Sequence, residues 1–404
     1  EVNCVMQVVA DANDSTMIHI HNFYGLEETV DAVIDFNTGA LSILPQRIWQ
    51  SSSYGDVYMF PISYVGDRVQ FYPTQPVPGS IDADGVIRLG QWGAIVGQGA
   101  NAGLMLAAID ASEYYPANAT MTAVKITDGQ ESSIQYPLLV EQANPAEMKI
   151  YNFGTTAVPV KARVAPGGGV TVSPQFIANV GMYGAFNCFP ITMTPQGNSI
   201  DKTAPVTGRM ADGKVNFDSW VAGSIMQDGL VALWLKESTL TPAAGLTLAM
   251  PQSVPLNLEG AGTAASPWLI KTASDMVALS QAAVSNSFPG KHFRLAADID
   301  MSQAQGFVPI GTNKSAFNGT FDGAGHIISG LSIDAVGYHF QGLFGACYTN
   351  STLKNIIIRR SSLTGDGYYL GLVAGYSQGV IDNCRVQGDV SGAGLCVGGV
   401  VGRS

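Results

Sequence analysis

Residues 368–402 read YYLGLVAGYSQGVIDNCRVQGDVSGAGLCVGGVVG. Gly371 opens a Gly-Leu-Val-Ala-Gly unit; upstream, Gly342 opens Gly-Leu-Phe-Gly, and downstream Gly399 opens Gly-Val-Val-Gly, at steps of 29 and 28 residues. Each period holds about three short apolar stretches, among them Leu353–Ile358 and Val380–Val386. Strands of this length between glycine turns cannot bury their apolar rows alone, but stacked turn on turn each row covers the next. The expected fold of residues 258–404 is therefore a right-handed parallel β-helix. Upstream, SPWLIKTASDMVALSQ (266–281) is the one convincing helix, with Ser274 as its expected N-cap, Asp275 in the first turn and Met276, Leu279 and Ala283 on one face. A helix over 274–286 would close the N-terminal end of the coil, where an open strand edge invites aggregation.

The first 250 residues are organised by a duplication. TGALSILPQRIW (38–49) matches GGGVTVSPQFIA (167–178), and YGDVYMFPI (54–62) matches YGAFNCFPI (183–191). PVPGSIDADGVIRLGQW (76–92) matches PVTGRMADGKVNFDSW (205–220). The offset stays near 129, from Tyr54 to Tyr183, Pro61 to Pro190 and Trp92 to Trp220. Two copies of one β-domain follow, at 1–128 and 129–250, each with its own core. Short alternating runs such as Leu41-Ser42-Ile43 and Val170-Thr171-Val172 read as half-buried strands. Asp84-Gly85 and Asp212-Gly213 read as hairpin turns, and Gly167-Gly168-Gly169 as a hairpin loop. The pattern fits an antiparallel β-sandwich or a small β-barrel equally. A barrel would hold an apolar ligand unless Trp92, Trp220 and their neighbours fill it. The fold class is all-β throughout.

The glycine-punctuated C-terminal third resembles the GLUG repeat, named for its Gly-Leu-apolar-Gly core and found in bacterial surface adhesins. The leader GKHFRLAADIDMS…FVPIG…FNGTFDGAGHIISGLSI (290–333) resembles the segment that precedes such repeats. The resemblance implies a secreted or outer-surface bacterial protein that adheres, without catalysis or cofactor, to a surface protein or glycan of a host or another bacterium. The array stops within a repeat at Ser404, as a piece of a longer protein would, and the start at Glu1 suits a chain whose N-terminal export or membrane-anchoring signal has been removed.

Composition narrows the partners. Charged residues are 13% of the 404, about half the usual share, and the net charge is −11. Residues 1–128 carry 14 acids and 4 bases, whereas 258–404 carry 9 of each. Nucleic acid is an unexpected partner, because phosphate contact needs clustered Lys and Arg. No apolar run approaches the roughly 18 residues of a membrane span. The five cysteines (Cys4, Cys188, Cys347, Cys384, Cys396) include no CxxC pair and read as small buried apolar residues.

Candidate chemistry is sparse. Among His19, His21, His292, His326 and His339 none is followed by Glu, so the metallopeptidase His-Glu-x-x-His motif is absent. His19 and His21 share a strand face but match Lys149 and Tyr151 in the second copy, so a solvated face is the better reading than a metal site. Asp82-x-Asp84-Gly85 resembles the start of a calcium loop, yet the twelfth position is Gly93 and the stretch reads as a hairpin. The acids Asp11, Asp14, Glu27, Glu28, Asp31 and Asp35 read as a solvated loop face. Asp298, Asp300 and Asp322, with Arg294 or Lys291, could serve a β-helical polysaccharide lyase or hydrolase, although turn and capping roles fit them better. The aromatic candidates for glycan contact are Tyr338, Tyr368, Tyr369 and Tyr376, which lie at turns where rings can stack on sugar faces.

Overall fold

In both N-terminal copies the strands close into rings. The computed structural model describes residues 3–404 except 26–27, 67, 98–102, 110–111, 155–157, 180–183, 195–196, 203, 226–230 and 336. Glu27 and the side chain of Cys4 lie outside the described residues. The first ring runs Asn3–Ala10, Ser112–Pro116, Ile87–Leu89, Val77–Ile81, Ala40–Ile43, Val30–Asp35 and Met17–His21, which pairs back onto Asn3–Ala10. The ring is sealed by a parallel pairing of Asn3–Met6 with Glu113–Pro116. In the second ring the strand Ala119–Thr127 is inserted at the equivalent seam, antiparallel to both Gln130–Asn144 and Val231–Pro242. Residues 119–127, which the repeat offset groups with the first copy, thus pair along both edges within the second barrel. The alternatives of sandwich and barrel resolve to barrels.

Alternation places the core. Met17–His21 and Glu147–Tyr151 bury every second residue, with Ile18 and Ile20 matched by Met148 and Ile150. A second sheet, from Gln46–Ser51 through Gly55–Val65 to Trp92–Val96, folds against the first ring, and its counterpart attaches to the second. Trp92 pairs with Pro61 and Trp220 with Pro190, the same register in both copies. Trp92 packs 5.5 Å from Phe23, and Trp220 stacks 4.5 Å from Phe153. Both tryptophans are fully buried, so the rings are filled where an apolar ligand would need room.

The hairpins differ in detail. Asp212 and Gly213 form a two-residue turn with φ of 52° and 72°, closed by the Ala211–Lys214 pair. Asp84-Gly85 sits instead in a longer loop that the Asp82 carboxylate organises by accepting from the Asp84 and Val86 N–H groups.

From Trp268 onward the chain is a parallel β-solenoid of about five turns. One face stacks Trp268–Ile270, His292–Leu295, Thr320–Asp322, Thr352–Lys354 and Val380–Asp382. Another stacks Phe344–Cys347, Ala374–Ser377 and Val401–Arg403. The core is a column of rings, Phe293, Phe317, Phe344 and Phe321, with neighbouring centroids 5.1–5.9 Å apart. The third glycine unit is in register from Gly398 rather than Gly399, because Gly371 pairs with Gly398 and Ala374 with Val401. Gly342 is required by close approach: a Cβ there would strike the Gly371 carbonyl of the next turn.

The helix spans Ala273–Ala282, and its N-cap is Thr272, not Ser274. Thr272 Oγ1 accepts from the Asp275 N–H while the Asp275 carboxylate accepts from the Thr272 N–H, a reciprocal box that satisfies two otherwise orphaned donors. Met276, Val277 and Leu279 enter the solenoid core, and the first strand's outer edge is bridged by Glu259, whose carbonyl accepts from Leu269. Cys188 and Cys347 are buried thiols, each pushed up to about 12 by desolvation, while Cys384 and Cys396 are half-buried.

Candidate functional site: an aromatic cleft on the solenoid

Stacking turns about 4.8 Å apart converts sequence positions into columns of side chains. Phe340 lies beside Tyr369, since their successors Gln341 and Leu370 form a parallel bridge. In the next column Ala346 pairs with Tyr376, and Tyr376 with Arg403. Beyond it, Tyr348 and Gln378 follow the paired Cys347 and Ser377. Ala346 is the small member of a column otherwise built of Tyr and Arg. A cleft of about 380 Å³ lies here, bordered by Phe340, Tyr348, Tyr369, Tyr376 and Arg403 with the buried Ala346 against it, at the small end of the range of ligand sites.

The cleft is aromatic with polar edges. Tyr369 sits 5.0 Å from Phe340 and 5.6 Å from Tyr376, ring centre to ring centre. The Arg403 guanidinium lies 5.7 Å from the Tyr369 ring and donates to its hydroxyl (3.2 Å). Gln378 Nε2 donates to the Tyr376 hydroxyl (3.0 Å). Tyr369 keeps a positive φ of 65° and Phe340 one of 58°, which turns both rings out at the same corner. Such groups can bind a flat apolar face and hydrogen-bond its rim.

The four tyrosines proposed from sequence separate into three environments. Tyr369 and Tyr376 meet in the cleft. Tyr368 is exposed and stacks flat on the His339 imidazole, 4.7 Å away and 7° from parallel. Tyr338 is buried against the second barrel: the Arg163 guanidinium covers its ring at 3.7 Å, and its hydroxyl faces the Thr171 carbonyl at 3.4 Å. Its surface is taken up by the joint between barrel and solenoid, where Lys161 also pairs with Asp334. Phe340, Ala346, Tyr348, Gln378 and Arg403 were not singled out from sequence. Unequal turn lengths hide their columns, and only the strand register lines them up.

The carboxylates are dispersed. Asp298 accepts from the Ile327 N–H (2.9 Å), which, with the His326 ring, holds it below the ordinary carboxylate range. Asp300 accepts from the Ser302 N–H (2.9 Å) in a tight turn and is lowered likewise. Asp322 is half-buried, but burial's upward push is outweighed by the Asn355 amide (2.9 Å), the Ala324 N–H and Lys354. Asn355 in turn accepts from Asn383 (2.8 Å), so Asp322 starts a ladder of amides across three turns. Asp300 and Asp322 belong to strands in different sheets, and each acid of the trio has its own turn or ladder partners.

In the first barrel, His19 bridges two carboxylates, Asp31 at 2.7 Å through Nδ1 and Asp11 at 2.8 Å through Nε2. His21 is engaged separately, with Thr29. The acids beside them organise turns: Asp14 accepts from Thr16, Asp35 from Thr38, and Glu28 pairs with Arg47. Among the described residues no three His, Cys, Asp or Glu side chains gather as a metal would require, and no helix is long and apolar enough to cross a membrane.

No family model and no solved structure matches the chain. Two named relatives do. Halomucin of Haloquadratum walsbyi is 38% identical over 156 residues, 36% of this chain and 2% of that protein. A putative Gly-rich membrane protein of Evansella cellulosilytica is 33% identical over 136 residues, 32% of this chain and 15% of its own length. The chain is thus similar to short stretches of much longer proteins.

Proposed function

We propose that this chain is a non-enzymatic, surface-associated binding module, in which two filled barrels carry a solenoid of GLUG-type repeats that contacts glycan. The observation that carries the reading is the cleft of Phe340, Tyr348, Tyr369 and Tyr376 over Ala346, a set of rings beside hydroxyl and amide groups that matches the two-faced chemistry of a sugar. Relatives with the names halomucin and Gly-rich membrane protein support a surface or membrane location. With few charges to steer association, recognition rests on shape and on the turns. A polysaccharide lyase or hydrolase acting through Asp298, Asp300 and Asp322 is less well supported, because all three are held ionised by separate partners, whereas glycosidic cleavage wants one raised acid facing a second carboxylate.

The test is a glycan array probed with the whole chain, alongside immobilised surface-protein extracts. Binding to a defined glycan set that Tyr369→Ala and Tyr376→Ala abolish supports the reading. Release of reducing or unsaturated sugar ends from any array polymer, lost in Asp322→Asn, would overturn it in favour of an enzyme.

A further inference from the structure

We infer that the outer face of the first barrel around Val33, Phe36 and Leu44 is an interaction surface that seats the solenoid of a second copy of this chain. The inference is independent of the aromatic cleft and of its ligand.

The duplication carries the argument, because the second copy shows what covers this face. The two faces match residue by residue. Gln46 bonds both peptide groups of Asp31 as Gln175 bonds those of Lys161. Val33 pairs with Met17 and Ser42, as Arg163 pairs with Glu147 and Thr171. Leu44, before Pro45-Gln46, stands where Ser173 precedes Pro174-Gln175. In the second copy this face is the joint with the solenoid. Arg163 covers the Tyr338 ring and donates to Gln341 Oε1 (3.1 Å), and Lys161 pairs with Asp334. Gly337 approaches so closely that an added Cβ would lie 3.0 Å from the Gln175 side chain. Ser173 is left only 8% exposed.

The first copy inverts the expected chemistry. Three polar residues of the joint become apolar: Met17 for Glu147, Val33 for Arg163 and Leu44 for Ser173. Yet Leu44 is 57% exposed, Val33 40% and the neighbouring Phe36 64%. A shallow groove of about 550 Å³ runs along Thr16, Val33, Phe36, Ala40 and Ser42. Apolar side chains gathered at the positions of a known joint, beside the exposed acids Asp31 and Asp35, mark a contact surface. Charge selects the occupant. Asp31 stands where Lys161 meets Asp334, so the sign is reversed and the incoming surface must present a base. Two first-barrel faces would repel, since residues 1–128 carry 14 acids and 4 bases. Residues 258–404 carry 9 of each, and there Arg359 and Arg360 are exposed side by side, a match for Asp31 and Asp35. The solenoid corner with Tyr338 is engaged within each chain, which leaves the arginine-bearing face to a neighbour. Barrel and solenoid are different surfaces, so the contact is heterologous and joins copies into rings or filaments.

The experiment is sedimentation velocity of the whole chain from about 1 μM to about 1 mM, a range that spans stable and transient contacts. The mean mass should rise with concentration. The double variant Val33→Arg/Leu44→Ser, which installs the second copy's residues at two exposed positions, should weaken association about tenfold or more. Should that variant melt early, Phe36→Ser replaces it. Hydrogen exchange at the two ends of the concentration range locates the contact: new protection is expected both in 30–44 and around Arg359 and Arg360. A chain that stays monomeric at the highest concentration overturns the inference. So does association that the variants leave unchanged, or protection of 30–44 with none in the solenoid, which would mean that like barrel faces pair.

Discussion

Gln175 completes the hydrogen bonding of Lys161 with its side chain: Oε1 accepts from the Lys161 N–H (2.8 Å) and Nε2 donates to the Lys161 carbonyl (2.9 Å). The strand Val160–Val164 pairs with Gly169–Val172 only at Arg163 and Val164. Lys161 would otherwise lack a partner on that side, and the Gln amide acts as one residue of strand. Gln46 does the same for Asp31 in the first barrel, at 2.9 and 2.6 Å. Because Gln175 is buried, Gln175→Ala should cost about 2 kcal/mol by stranding two peptide groups. The half-buried Gln46, replaced the same way, should cost under about 1 kcal/mol because water can substitute. Urea unfolding midpoints of the two variants check the difference.

Trp92 and Trp220 fill the two rings at equivalent positions. Either one replaced by Ala should cost about 3–5 kcal/mol, the penalty of a large aromatic cavity. The loss should remain local, so that only one set of barrel amides loses hydrogen-exchange protection. Equal loss in both barrels and the solenoid would contradict independent cores.

His19 is held above its ordinary value of 6.5 by the hydrogen bond to Asp31 and, second, by that to Asp11. A folded-state pKa raised above the unfolded one adds stability that is fully present below pH 6.5 and is lost as pH rises through the folded value. The first barrel should therefore melt at a lower temperature as pH rises from about 6 through that value. His19→Gln should flatten the slope; a slope that persists unchanged would show that another group is responsible.

Arg163 and Tyr338 join the second barrel to the solenoid. Tyr338→Ala removes a buried ring and its cation partner, which is worth about 2 kcal/mol when desolvated. Thermal unfolding should separate into barrel and solenoid transitions, and protease should cut sooner in the 243–257 connection. A single unchanged transition would mean that the joint does not couple the two.

Gly342→Ala should destabilise the solenoid, since the added methyl meets the Gly371 backbone and the turns must part. A control at Gly325, where φ is positive but the space beyond is open, separates close approach from backbone strain. Calorimetry should show the larger loss at Gly342 if close approach dominates.

Much of the architecture was legible because burial period and glycine spacing are local properties. The matched Asn22-Phe23 and Asn152-Phe153 show this well. Both asparagines take a positive φ near 60° and donate to a neighbouring strand carbonyl, Val5 or Pro137, at 2.8 Å. The same Asn-Phe pair thus makes the same turn in both copies. The N-cap was misplaced by two residues because Thr272 and Ser274 are chemically equal candidates, and only the capping geometry with Asp275 separates them. Tyr338 read as a turn residue with an exposed ring; its burial depends on Arg163, far away in sequence.

By itself the amino-acid sequence determined that the chain is all-β, that its first part is duplicated and that its last part winds in stacked turns, since these follow from alternation, offset and period along one strand at a time. Tertiary structure alone decided that the sheets close into rings, through the pairing of Asn3–Met6 with Glu113–Pro116 and of Ala119–Thr127 with Val231–Pro242. Alternation says which face of a strand is buried, not which strand lies at its far edge. For the same reason, the meeting of Ala346, Tyr376 and Arg403 became visible only when turns of unequal length were laid in hydrogen-bonded register.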